Sequence, residues 1–125
     1  MRKKGIFRSR LIYDFNPVLK RRQTNFYRQF VGPGDLCFDI GAHTGNHTST
    51  WLQLGARVVA VEPQSEFVGL MQKKFSDSSQ FTLLQKAVAE KEGRQSFKIS
   101  TANPTLSTLS DQWKETILKT FLCKE

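Results

Sequence analysis

Two short apolar runs set one glycine-rich turn and one helix's length apart decide most of what this chain can fold into. The first, LCFDI (Leu36–Ile40), stops at Gly41; the second, RVVAVE (Arg57–Glu62), begins after sixteen intervening residues. Brief apolar runs bounded by glycine read as buried strands, and β-branched valines strengthen the second. The interval holds one helix, expected from about Asn46 to Leu54 and closed by Gly55. A strand, a crossover helix and a second strand form a unit whose strands are parallel.

The flanking sequence extends this order. Asn16 and Pro17 open a helix, Asn as cap and Pro at the first helical position, with Leu19, Phe26 and Phe30 near one face and an end at about Val31. After Pro63, SEFVGLMQKKF places Phe67, Leu70, Met71, Lys74 and Phe75 at helical spacing, a core stripe with Ser65 as its cap. FTLLQKAVA (Phe81–Ala89) reads as a third strand. EKEG turns, RQSFKIS (Arg94–Ser100) alternates like an exposed strand, and the tail brings Trp113, Ile117 and Phe121 onto one helical face. In all, 125 residues support one modest core.

Loops at the carboxyl ends of parallel strands are where such sheets bind ligands. Gly41 and Gly45 lie in the first of these loops, and glycine there permits positive φ and close approach of a ligand to the backbone. The spacing Gly41-Ala42-His43-Thr44-Gly45 puts His43 where a dinucleotide fingerprint needs its middle glycine, and no Gly-Lys-Ser/Thr follows. Glu62, at the end of the second strand, can accept both hydroxyl protons of a ribose. With Asp39 just before Gly41, it points to an adenosine-containing cofactor. His43 and His47 stand four apart, but the chain has no other histidine and zinc needs three or four ligands, so no metal is expected.

The blocks FDIGAHTGNHT, VVAVEPQSEFVGLM, LLQKAVAEKEGRQSF and STLS, in this order, resemble the FkbM-type family of class I S-adenosylmethionine-dependent methyltransferases, over about Leu36 to Leu109. The resemblance implies a Rossmann-like three-layer α/β/α fold with parallel strands and S-adenosylmethionine as cofactor. Asp39, Gly41, Ala42, His43 and Gly45 would surround its methionine part, Glu62 would hold the ribose, Pro63 would pack on the adenine, and the backbone near Ala87 would meet the adenine edge. His43 departs from the asparagine often found there. The implied reaction is O-methylation of a sugar or other small-molecule acceptor, with no catalytic residue assigned.

Relatives in that family continue into a further strand with a lysine–x–aspartate–x–glutamate–glycine motif, which pairs with the first strand. Residues 32–125 are therefore expected to be the N-terminal, cofactor-binding part of a methyltransferase domain with an incomplete sheet, preceded by a basic arm and helix over residues 1–31. A non-catalytic remnant or interaction module is the alternative.

Charge is concentrated in that arm. Residues 1–30 carry nine Lys/Arg against Asp14 alone, and the whole chain has a net charge of +8. Such a segment can meet nucleic acid, an anionic membrane or an acidic partner. No aromatic-rich RNA motif or continuous basic helix accompanies it, so a solvated face is expected and nucleic acid is not. Nothing approaches the ~18 apolar residues of a membrane span. Two cysteines, one in an apolar run, fit a reducing, cytoplasmic setting.

Overall fold

The computed structural model describes residues 16–94, 96 and 97. Their order is α1 (Pro17–Tyr27), β1 (Leu36–Ile40), α2 (Asn46–Gln53), β2 (Arg57–Val61), α3 (Ser65–Lys74) and β3 (Phe81–Leu84). The strands form one parallel sheet in the order β1-β2-β3, with Leu36 opposite Arg57 and Val58 opposite Phe81. The strand–helix–strand unit thus repeats once, as the two apolar runs and their crossover require.

Register assigns each strand's faces. Cys37, Asp39, Val58, Ala60, Phe81 and Leu83 share one face, and both crossover helices lie on it: Thr48 of α2 bonds Asp39, while Met71 of α3 packs with Ala60 and Ala42, joined by Phe75, Phe81 and Leu83. Among the described residues the other face is largely open: Phe38 is 58% and Ile40 56% exposed, with Leu36 and Leu84 also exposed, although Val61 on that face is buried and Val59 half-buried. No described strand pairs with the free edge of β1. Of the expected three-layer architecture, the described residues show the sheet and the crossover helices on one of its faces; the basic arm over residues 1–15 and the tail helix lie outside the described residues.

α1 behaves differently from its apolar pattern. Asn16 caps it, its side-chain oxygen accepting the N–H groups of Val18 and Leu19, both at 3.1 Å. But Leu19, Phe26 and Phe30 are exposed, and the packed face is polar. Lys20 donates to Ser49 at 2.8 Å, Asn46 donates to Gln23 at 3.1 Å, and Tyr27 sets its ring edge-on to Trp51. The helix also ends at Tyr27, whose carbonyl accepts from the N–H groups of Phe30 and Val31 in the following turn.

β3 is shorter than its pattern. It stops at Leu84 because β2, its only ladder partner among the described residues, stops at Val61. Residues 85–89 are irregular, as are Arg94, Ser96 and Phe97 of the expected fourth strand. The N-terminus of α3 also lacks the expected cap: Gln64 takes that position and makes no side-chain capping bond to the helix, and Ser65 is the first helical residue.

Candidate cofactor site

The loop leaving β1 folds back over the end of β2. Gly41 and Ala42 both donate their N–H to the Val61 carbonyl, at 2.8 and 3.1 Å, and Gly45 donates to Ala42. His43 donates its N–H to Glu62 Oε2 at 2.9 Å. Four loop amides are thus held by protein acceptors, so the loop does not offer them as a phosphate cradle. What it offers is a bare backbone at Gly41, where φ is +76° and a Cβ would find no atom within 4 Å. A ligand can touch the main chain there without displacing anything.

Glu62 closes the other side. Only 3% exposed, it accepts from His43 N–H through Oε2 and from Gln64 N–H through Oε1, each at 2.9 Å. Each carboxylate oxygen has lone-pair capacity beyond that single bond. The residues present therefore fit a ligand with a vicinal diol laid beside Glu62 and a flexible chain crossing Gly41. Pro63 follows directly and is half-buried.

Asp39 and Gly45 occupy different places from the rest of the group. Asp39, 5% exposed, points under the loop, where one of its oxygens, Oδ2, accepts both the Thr48 N–H at 3.0 Å and the Thr48 hydroxyl at 2.6 Å. It fastens the start of α2 to β1, as an anion at a helix N-terminus does. Gly45, at φ +73°, faces α3: a Cβ there would lie 2.7 Å from Phe75 Cε2. Ala87 is exposed in the irregular stretch after β3. The structure thus brings Gly41, Ala42, His43, Glu62 and Pro63 together, sets Asp39 and Gly45 beneath and behind them, and leaves Ala87 outside that group. Sequence reasoning missed Thr48. Its signal was a pair of threonines, Thr48 and Thr50, on the crossover helix; both are fully buried.

The two histidines diverge. His47 faces α1, its Nδ1 within 2.8 Å of Gln23 Nε2 and 3.1 Å of the Tyr27 hydroxyl. His43 adopts φ +53° and lays its ring 3.8 Å from that of Phe67, its buried Nε2 without a partner among the described residues. No group of three His, Cys, Asp or Glu gathers among the described residues.

Burial pushes the His43 pKa below its usual 6.5. The unfolded chain then takes up the proton first as pH falls, so the contribution of neutral His43 is present above about pH 6.5 and is lost as pH drops toward the folded-state pKa. Asparagine tolerates positive φ. His43→Asn should therefore flatten the fall in melting temperature between about pH 7 and 5. An unchanged slope would assign the acid sensitivity to another group.

Comparison with known proteins gives the fold a class. A crystal structure assigned as an RNA methyltransferase from Pyrococcus horikoshii superposes with a TM-score of 0.51 at 24% identity, covering 61% of this chain and 40% of that one. The fold is the Rossmann-like one of class I methyltransferases, with a small and incomplete sheet. In sequence, the chain is 38% identical over 55 residues to the chloroplastic ribosomal RNA small subunit methyltransferase of Arabidopsis thaliana, a match covering 44% of this chain and 16% of that protein. An assigned rRNA methylase from Clostridium thermocellum aligns at 24% identity over 53% of this chain and 39% of its own, with a TM-score of 0.48. No family model matches the chain.

These relatives overturn one expectation. Nucleic acid was not expected as a partner, because the basic segment lacks an aromatic RNA motif, yet the relative matched in sequence is a methyltransferase of ribosomal RNA. Aromatic stacking motifs belong to particular RNA-binding modules, whereas phosphate contacts need only cationic side chains. Their absence from a cofactor-binding fold therefore carried no information. Among the described residues no helix is long and apolar enough to cross a membrane.

Proposed function

We propose that this chain is the cofactor-binding part of an S-adenosylmethionine-dependent methyltransferase that acts on RNA. The observation that carries the reading is the open backbone at Gly41 beside the buried, pre-fastened carboxylate of Glu62, on a fold of the methyltransferase class. Bound S-adenosylmethionine supplies an activated methyl group on a sulfonium. The chain's own contribution is placement: Glu62 takes the ribose hydroxyls, the Gly41 backbone lets the methionine part pass close, and Pro63 bounds the adenine side. Orientation of this kind is worth ~7–11 kcal/mol of barrier in well-aligned reactions.

RNA is favoured over the sugar or small-metabolite acceptor implied by the FkbM-type resemblance because the relatives found by sequence and by fold are RNA methyltransferases. O-methylation of a sugar has no counterpart among them. The chain spans about a sixth of the length of its curated relative, 16%.

Calorimetric titration of the full chain with S-adenosylhomocysteine tests the cofactor reading. Saturable binding is expected, and Glu62→Gln should weaken it about tenfold, the effect of losing one charge-assisted bond. Absence of saturable heat up to millimolar ligand, or an unaltered Kd in the variant, would remove Glu62 from the site.

A further inference from the structure

A second surface, on the flank of α1, has no role in holding the cofactor. Pro17, Arg21, Asn25 and Arg28 recur along one side of the helix, and with Lys20 and with Gln53 at the end of α2 they line an open groove of about 760 Å³. The lining carries three cationic side chains and no carboxylate. None is close in sequence either: no Asp or Glu occurs between Asp14 and Asp35. Lys20 is engaged, donating to Ser49, and this bond helps fix α1 against α2. Arg21 and Arg28 are exposed, and their guanidinium groups have no partner among the described residues.

Two unpaired guanidiniums on one helix side repel each other, and each can bind a phosphate through parallel N–H donors. The neighbouring amides of Asn25 and Gln53 add neutral donors and acceptors suited to sugar hydroxyls. Phe26 and Phe30, though exposed, are not in this lining, with Phe26 on the far side of α1, so bases have no stacking platform in the groove. Its chemistry therefore suits a backbone and not bases.

We propose that the α1 flank is a docking groove for the sugar–phosphate backbone of the RNA acceptor, gripped by Arg21 and Arg28 and independent of base sequence. This rests on the RNA reading above. The N-terminal charge then steers a polyanion toward a helix locked to α2, which itself begins at the cofactor loop.

The test measures binding of the full chain to an unstructured RNA oligonucleotide by fluorescence anisotropy across a salt series. Arg21→Gln/Arg28→Gln is compared with Arg22→Gln/Lys73→Gln, which removes the same two charges outside the groove. The groove variant should bind RNA about tenfold more weakly and lower the salt slope by about 1.4, twice the ~0.7 per phosphate contact of single strands. The control should stay near wild type, and both should titrate S-adenosylhomocysteine as wild type does. Equal losses in the two variants would reduce the effect to net charge and overturn the groove. Wild-type chain that takes up S-adenosylhomocysteine but no RNA would overturn both the groove and the RNA reading, whereas RNA binding untouched by the groove variant would overturn the groove alone. Tighter binding to vesicles of anionic phospholipid than to RNA would assign the surface to a membrane instead.

Discussion

Gly45→Ala is expected to lower the unfolding free energy by about 2–4 kcal/mol, combining the cost of a left-handed residue with that of overpacking. The added methyl group would stand 2.7 Å from Phe75 Cε2 and 3.2 Å from both Met71 Cγ and Sδ. Neither neighbour yields easily, since Met71 is fully buried and the Phe75 ring lies against Phe81 at 4.9 Å. Gly41→Ala is the natural comparison. It has nearly the same positive φ but nothing within 4 Å, so only the backbone part, about 1–2 kcal/mol, should appear in urea unfolding. Its methyl group enters the space left for a ligand, and affinity for S-adenosylhomocysteine should fall. Equal destabilisation by the two variants would refute the packing role assigned to Gly45.

Asp39→Ala is expected to cost about 2–4 kcal/mol, because two charge-assisted hydrogen bonds vanish and the Thr48 N–H is left buried without an acceptor. Thr48→Val removes only the hydroxyl contact and should cost about 1–2 kcal/mol. Since both act through one junction, the double variant should fall short of the sum by about 1 kcal/mol or more. Strict additivity in thermal or chemical unfolding would mean that the two side chains are not coupled, and that Asp39 matters for another reason.

The repeating strand–helix order was legible because its signal is redundant: apolar β-branched runs, a glycine soon after β1 and after α2, and a crossover of the right length all agree. What the pattern misjudged depended on partners. The run QKAVA after Leu84 alternates well enough for a strand, yet β2 ends at Val61, and Glu62 donates its own N–H to the Leu84 carbonyl at 3.1 Å. Among the described residues no ladder remains for residues 85–89 to join. In α1 the apolar positions fall near one face, but the contact with α2 is made by Lys20, Gln23 and Tyr27, whose polar ends find specific acceptors and donors across the interface.

The grouping of part of the candidate site was legible for the same reason. Gly41 and Glu62 stand at adjacent strand ends, and adjacency follows from parallel pairing alone. Asp39 was grouped with them by sequence neighbourhood, whereas its side chain emerges on the helix-covered face, one residue's alternation away from Ile40. Only the placement of Thr48 nine residues later reveals that orientation, and nothing in the spacing of the loop encodes it.

The double fastening of Glu62 has an entropic consequence. A glutamate free in solution samples many rotamers, and immobilising a flexible side chain on binding costs about 0.5–1.5 kcal/mol. Here the His43 and Gln64 amides have already fixed its carboxylate during folding. A diol arriving beside it meets a receptor with little freedom left to surrender, so the ordering of that contact is charged to the fold and not to the ligand.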